Sequence, residues 1–232
     1  GSATASGSAT ASGSATATVA PAEAVPAPAL EFLTLPTQVN FVGMALPLKL
    51  ARNGSGHPAD SSLRRGALLV AKNYLDTTYL WEKVRVQGGA YGGLSLFDSN
   101  SGVFVFLSYR DPNLERTFGA FSAAKEFLAT LDISPEELTR SIIGTIGGVD
   151  AYLLPDAKGF TSLVHHLTGY SYEDRQAVRK EIFSASPSDF RTFAEALRQA
   201  EPLGFRGALV APKKVEELPA ELKEGSRLTP LL

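Results

Sequence analysis

The sequence contains no cysteine, which excludes disulfides, thiolate chemistry and structural zinc sites built on cysteine pairs, and which suits a reducing compartment. It also has no basic excess. Lys and Arg total 22 against 24 Asp and Glu, too few positive charges to hold a nucleic-acid backbone or an anionic bilayer surface. Long apolar runs are missing as well: Gly66 to Ala71 and Val103 to Leu107 fall far short of the ~20 residues that span a bilayer. Neither nucleic acid nor a membrane is therefore expected as a partner. Motifs that would carry chemistry alone are absent too, with no H-E-x-x-H, H-x-x-E-H, G-x-S-x-G or phosphate loop. The three histidines do not fill that gap. His57 falls in a turn, while His165 and His166 are adjacent on an expected helix, about 100° apart, and cannot chelate one ion together.

What is present is apolar content of 44% in 232 residues, enough for one large core. The first eighteen residues repeat GSATAS, GSATAS and GSATAT, followed by an Ala, Pro and Val stretch, and Glu23 is the single charge before residue 31. With no large side chains to bury, nothing offsets the entropy of ordering this stretch. Residues 1–30 are expected to be a flexible linker or an added segment, and 31–232 the folded domain. The first residue is Gly instead of Met and no arginine precedes Arg52, so the opening segment lacks the basic character of a targeting peptide and the chain is expected to be a fragment or one whose start has been replaced.

From Pro36 the pattern changes. Val39, Phe41, Val42, Met44, Leu46, Leu48 and Leu50 predict a long strand with an irregularity near Gly43 and Pro47. Asp60 or Ser61 can cap a helix through Leu63, Ala67, Val70, Ala71 and Tyr74, with a second short helix over Tyr79 to Val84. Gly88 and Gly89 end it, and Ala90 to Phe97 pairs with Val103 to Tyr109 as a hairpin. Asp111 and Pro112 suggest the cap of a long amphipathic helix, and Ser134, Pro135 and Glu137 form a capping box for the next. Further helices are expected near 157–168, after Ser171 and after Ser186-Pro187, and a last strand at Gly207 to Ala211. This order lacks the alternation of a doubly wound fold, so the expected class is α+β: an antiparallel or mixed sheet with helices packed mainly on one face.

The segment Arg85-Val86-Gln87-Gly88-Gly89-Ala90-Tyr91-Gly92-Gly93 is the most unusual in the chain. Its glycines permit close backbone approach at a helix-to-strand turn, while Arg85 and Tyr91 supply a fixed cation and a phenol donor. Two such donors can stabilise a developing oxyanion. Residue types alone favour a simpler reading, with Arg85 paired to a surface carboxylate, Tyr91 packed on the sheet and the glycines merely making the turn.

The run Tyr79 to Gly92, with Y-L-W-E-K-V-R-V-Q-G-G-A-Y-G, resembles the signature of the last domain of presequence proteases, insulinase-like zinc metallopeptidases. Phe97 to Phe104, Leu107 to Leu114, Ile142 to Gly147 and Leu154 to Gly159 resemble that family in the same order, so the likeness spans roughly Pro36 to Pro212. The resemblance implies one part of a two-halved protease that encloses short unfolded peptides, such as cleaved targeting peptides, in a chamber. Zinc and the inverted H-x-x-E-H motif then belong to an N-terminal half, the expected partner, and this chain itself binds no cofactor or metal. It also implies that Arg85 and Tyr91 reach the scissile peptide and act as auxiliary catalytic residues, in the mitochondrial matrix or a chloroplast stroma. Cleavage by this chain alone is not expected. The alternative is a peptide-binding or interaction module that keeps the fold without the chemistry, its sheet edge accepting an extended peptide. A truncated product, marked by an apolar patch where its partner is missing, is a third possibility.

Overall fold

A computed structural model describes residues 30–48, 63–99 and 101–231. Six strands, β1 (Leu30–Thr34), β2 (Asn40–Pro47), β3 (Gly92–Asp98), β4 (Val103–Asp111), β5 (Phe205–Val210) and β6 (Arg227–Pro230), form one sheet in the order β3-β4-β2-β5-β1-β6. The β3-β4, β4-β2 and β2-β5 pairs are antiparallel, whereas β1 runs parallel to both β5 and β6. The class is therefore α+β with a mixed sheet, as expected.

Alternation sets which face is covered. Val42, Met44 and Leu46 on β2, and Phe104 and Phe106 on β4, are buried, while Phe41 and Tyr109 on the same strands are exposed. The buried face meets α1 (Arg65–Leu75), α2 (Glu115–Thr130), α3 (Pro135–Val149), α5 (Tyr172–Phe183) and α6 (Pro187–Ala200), either directly or through their neighbours. Phe104 meets Phe193 edge-on at 5.1 Å, and Phe106 stacks on Phe121 at 5.3 Å. Burial of each such ring contributes about 1.5–3 kcal/mol, so this aromatic layer is a main stabiliser of the helix-sheet contact. The helix α4 (Pro155–Thr168) buries none of its residues and leaves Phe160, Leu163 and Leu167 exposed. Short helices α7 (Pro212–Glu216) and α8 (Ala220–Lys223) lead from β5 to β6.

Several sequence expectations are corrected. The strand from Val39 ends at Pro47, and its irregularity is a register shift between Asn40 and Val42 instead of a break at Gly43. The proposed caps Asp60 and Ser61 lie outside the described residues, and α1 begins at Arg65. No separate helix carries Tyr79 to Val84: α1 runs straight into a wider, π-wound stretch, Asp76–Val86. Thr77 and Thr78 stand where the winding changes, their hydroxyls donating to the carbonyls of Asn73 (2.8 Å) and Tyr74 (2.6 Å). Asp111 is not a helix cap either. It closes β4, fully buried, and α2 starts at Glu115. Strands β1 and β6 were not foreseen, being short and placed in sheet order by tertiary contacts alone.

The expected capping box of Ser134 and Glu137 is present, and the helices expected after Ser171 and Ser186 open with boxes of their own. Ser134 with Glu137, Ser171 with Asp174 and Ser186 with Asp189 open α3, α5 and α6. Asp189 also accepts two hydrogen bonds from Arg64, at 3.0 and 2.7 Å, tying the start of α1 to the start of α6. Burial raises the Asp189 pKa, but bonds from Arg64 and Ser186 outweigh it and hold the carboxyl below its ordinary value. A depressed carboxyl adds stability that is present above its unfolded pKa of about 3.9 and is lost as pH falls through the lower folded value. Replacing Asp189 with Ala is expected to cost about 1–2 kcal/mol at pH 7, Arg64 being partly exposed, and to remove that part of the acid dependence, as read by denaturant melts at pH 7 and pH 3. Gly66→Ala should be worse than average for a core site. Its new Cβ would lie 2.3 Å from the Val178 carbonyl and 2.8 Å from the Ile182 amide on α5, so α1 and α5 must separate; a melt unchanged within 1 °C would contradict this packing.

Candidate functional site

The π-wound stretch ends in the glycine turn. Leu80 and Val84 on its inner face are fully buried, and the Tyr79 hydroxyl donates to the Ala120 carbonyl at 2.8 Å, anchoring the helix end to α2. Burial raises the Tyr79 pKa above its ordinary value. The last turn widens, with the Gln87 amide donating to the Glu82 carbonyl at 2.8 Å, five residues back. The chain then reverses through Gly89 at φ +76°, a conformation in which a side chain is strained. Amides of Gly89 and Ala90 return to the carbonyls of Arg85 (2.8 Å) and Val84 (3.1 Å), closing the helix end.

A second turn holds the first. At the end of β4 the Asp111 carboxylate accepts from the Asn113 amide at 2.8 Å and from the Thr117 hydroxyl at 2.7 Å. The Asn113 side-chain amide donates to the Gly88 carbonyl, while the Asn113 carbonyl accepts from the buried Asn40 side chain at 3.2 Å. The Tyr91 amide donates to the Arg110 carbonyl at 3.3 Å. Two of these bonds, from Asn113 to Gly88 and from Tyr91 to Arg110, fix the 87–91 turn against the end of β4, and the others hold Asp111 and Asn113 in place.

Arg85 and Tyr91 emerge side by side. The Arg85 guanidinium lies 4.1 Å from the Trp81 ring centre and 5.9 Å from that of Tyr91. Trp81 and Arg85 are four residues apart, and the stacking restrains a long side chain that would otherwise swing freely. Among the described residues Arg85 forms no ion pair with a carboxylate, and Tyr91 is 65% exposed instead of packed under the sheet. A third group joins them unannounced by the sequence: Arg110, whose guanidinium lies 6.0 Å from the Tyr91 ring centre.

The cluster opens onto the uncovered face of the sheet. Tyr91 meets Tyr109 edge-on at 5.7 Å, and Tyr109 meets Phe41 at 5.5 Å. Beyond them lies an apolar depression of about 490 Å³, bordered by Leu33, Leu94, Leu107 and Phe205. Gly43 and Gly207 pair across β2 and β5 in its floor, where the Leu107 and Phe205 side chains lie over them. A cation pair, a phenol and an apolar trough together suit a polypeptide, which offers carbonyl oxygens at regular spacing and apolar side chains between them.

The other candidates separate from this site. His165 and His166 lie on α4, where His165 meets Tyr170 edge-on at 5.1 Å. Burial, followed by the charges of Arg175 and Arg65, lowers the His165 pKa, so the ring is neutral at pH 7. His57 lies outside the described residues. Of the groups that sequence reasoning missed, Trp81 had a signal in its spacing from Arg85. Arg110 and Asn113 stand in the family-like stretch Leu107 to Leu114, but residue types gave no sign of their roles, which depend on a left-handed backbone and a contact between distant segments.

The architecture is a mixed sheet with one helix-covered face and a cationic corner on the other. A solved peptidase M16 inactive domain from Pseudomonas fluorescens shares the fold with a TM-score of 0.58 at 13% identity, over 80% of this chain and 44% of that one. The family model of the PreP C-terminal domain matches residues 30–210, and the chain belongs to that presequence protease family. It is 44% identical over 196 residues to presequence protease 1, chloroplastic/mitochondrial, of Arabidopsis thaliana, covering 84% of this chain and 17% of that protein. It is 29% identical over 185 residues to the mitochondrial presequence protease of Yarrowia lipolytica, covering 80% and 17%. The chain thus spans about a sixth of the length of these relatives.

Zinc does not fit the cluster on this chain. Two guanidinium groups flank Tyr91 and would repel a dication, and among the described residues no three His, Asp or Glu side chains gather to hold one. Removal of the clasp should show in local dynamics. Asn113→Ala is expected to cost about 1 kcal/mol and to speed amide exchange of Gly89, Ala90 and Tyr91 well beyond that of β4, measured by hydrogen-deuterium exchange; uniform exchange would show that the turn does not depend on it.

Proposed function

We propose that this chain is the substrate-contacting, zinc-free part of a metalloendopeptidase that degrades short unfolded peptides, including cleaved targeting peptides. The observation that carries this reading is the pairing of Arg85 and Tyr91: two donors, unpaired with any described carboxylate, held on one side of a turn fixed by a buried clasp. Donors arranged before the reaction need no reorganisation as negative charge grows on the attacked carbonyl oxygen, which is how such groups lower a barrier. Arg85 would hold the charge and Tyr91 would donate its phenolic proton in a hydrogen bond.

The zinc and the attacking water belong, in this reading, to an N-terminal half that this chain would dock with. Two exposed apolar surfaces, the open sheet face around Phe41 and Tyr109 and the outer face of α4, support a larger assembly. The names of the organellar relatives support the mitochondrial matrix or a chloroplast stroma as its compartment. A second reading, a peptide-binding module without catalytic duty, is favoured by one observation: β3 is an edge strand next to the apolar trough, open to pairing with an extended chain.

A quenched fluorescent presequence-like peptide separates the two. Turnover is expected only when this chain is combined with a matching N-terminal half and zinc, and Arg85→Ala or Tyr91→Phe should lower kcat by about 10–10³-fold with a smaller change in KM. Unchanged kcat in both variants, with peptide binding retained, would favour the binding module. Zinc-dependent turnover by this chain alone would overturn both.

A further inference from the structure

Arg110 is, among the described residues, the one non-glycine with positive φ, at +52°. A left-handed arginine persists only where its surroundings determine the backbone, and such positions gather at functional sites. The surroundings are visible here. The Arg110 carbonyl accepts from Tyr91, the next residue is the fully buried Asp111, and β2 shifts register opposite this point, between Asn40 and Val42. The reversal takes Arg110 out of the strand's alternation, leaving its side chain exposed with the guanidinium beside Tyr91.

Its charge is not used within the domain. Among the described residues no carboxylate pairs with Arg110; Glu82 is engaged by Gln87, and both Asp111 oxygens are taken by Asn113 and Thr117. Two uncompensated guanidinium groups thus flank one phenol in a chain of net charge −2. Both lie within 6.0 Å of the Tyr91 ring centre, so they are at most about 12 Å apart, three to four residues of an extended peptide.

We propose that Arg110 is a specificity-determining residue that binds a carboxylate of the peptide within about three or four residues of the carbonyl held by Arg85 and Tyr91. The proposal rests on the reading that a peptide lies against Tyr91. A guanidinium fork matches a carboxylate in two parallel hydrogen bonds, whereas a backbone carbonyl uses only one of its edges. The carboxylate can come from an Asp or Glu side chain or from the free end of a short peptide.

The test uses this chain with its N-terminal half, zinc removed so that nothing is cleaved, and fluorescein-labelled peptides followed by anisotropy. One pair differs by Glu or Gln at each of the four positions on either side of the cleavage site; a second differs by a free or amidated C-terminus. The complex is expected to bind at least one acid form about 5–10-fold more tightly than its amide partner, and the pair in which this occurs identifies the source of the carboxylate. Arg110→Gln and Arg110→Gly should reduce that ratio to about one. Because glycine accepts the left-handed backbone, Arg110→Gly should melt no lower than the unsubstituted chain, separating lost selectivity from misfolding. Arg85→Ala should weaken both members equally and keep the ratio. Equal affinity for every acid and amide pair, no binding of any peptide, or a preference that survives both Arg110 substitutions would overturn the proposal. An Arg85→Ala enzyme with unchanged turnover would instead remove the oxyanion reading while leaving the Arg110 ratio to stand by its own result.

Discussion

The contact between the Gly88-Gly89 turn and the Asp111-Asn113 segment holds Arg85 and Tyr91 together in one site. A helix end carries a cation and a strand start carries a phenol, and the two become one site only if the intervening reversal has a single conformation. Gly89 makes the reversal possible, and Asn113 makes it definite by donating to the Gly88 carbonyl. Asp111, buried and saturated by Asn113 and Thr117, holds that amide in place, and Asn40 secures it from the neighbouring strand. Asp111 and Asn40 are buried polar members of the clasp, so their hydrogen bonds must be satisfied or their burial becomes a liability.

Local rules explain how much of the fold could be read in advance. Three capping boxes, the alternation on β2 and β4 and the periodicity of α2 and α6 each depend on residues within a turn or two of one another, so the sequence displays them directly. Failures fall where distant contacts decide. The sequence suggests a separate short helix over Tyr79 to Val84, yet α1 continues into that stretch with Tyr79, Leu80 and Val84 buried, and only the winding changes. Asp111-Pro112 reads as a cap, yet the carboxylate is worth more inside the clasp than on the helix. Strand β6 has only four residues, and β1, although its buried Leu30 and Phe32 alternate about Glu31, directly follows the Ala and Pro stretch and finds its parallel partners at the far end of the chain. For the site, the glycines, Arg85 and Tyr91 announced a turn with donors, but residue types left open whether those donors were already paired. The absence of a described carboxylate partner, together with the exposure of Tyr91, is structural information, and the left-handed Arg110 lies beyond any pattern of residue types.

A division of labour follows from the charges. Among the described residues no His, Asp and Glu cluster that could hold a metal accompanies the guanidinium groups, so in the proposed peptidase the metal would come from another surface that meets this one around the substrate. The domain described here carries the cationic surface, an aromatic file and an apolar trough on the face its helices leave open.

The most direct measurement of that account is a structure of this chain combined with its N-terminal half and an uncleaved peptide. The account predicts a peptide carbonyl oxygen about 2.7–3.2 Å from both the Arg85 guanidinium and the Tyr91 hydroxyl. A peptide bound in the assembly with both groups turned to solvent would contradict it.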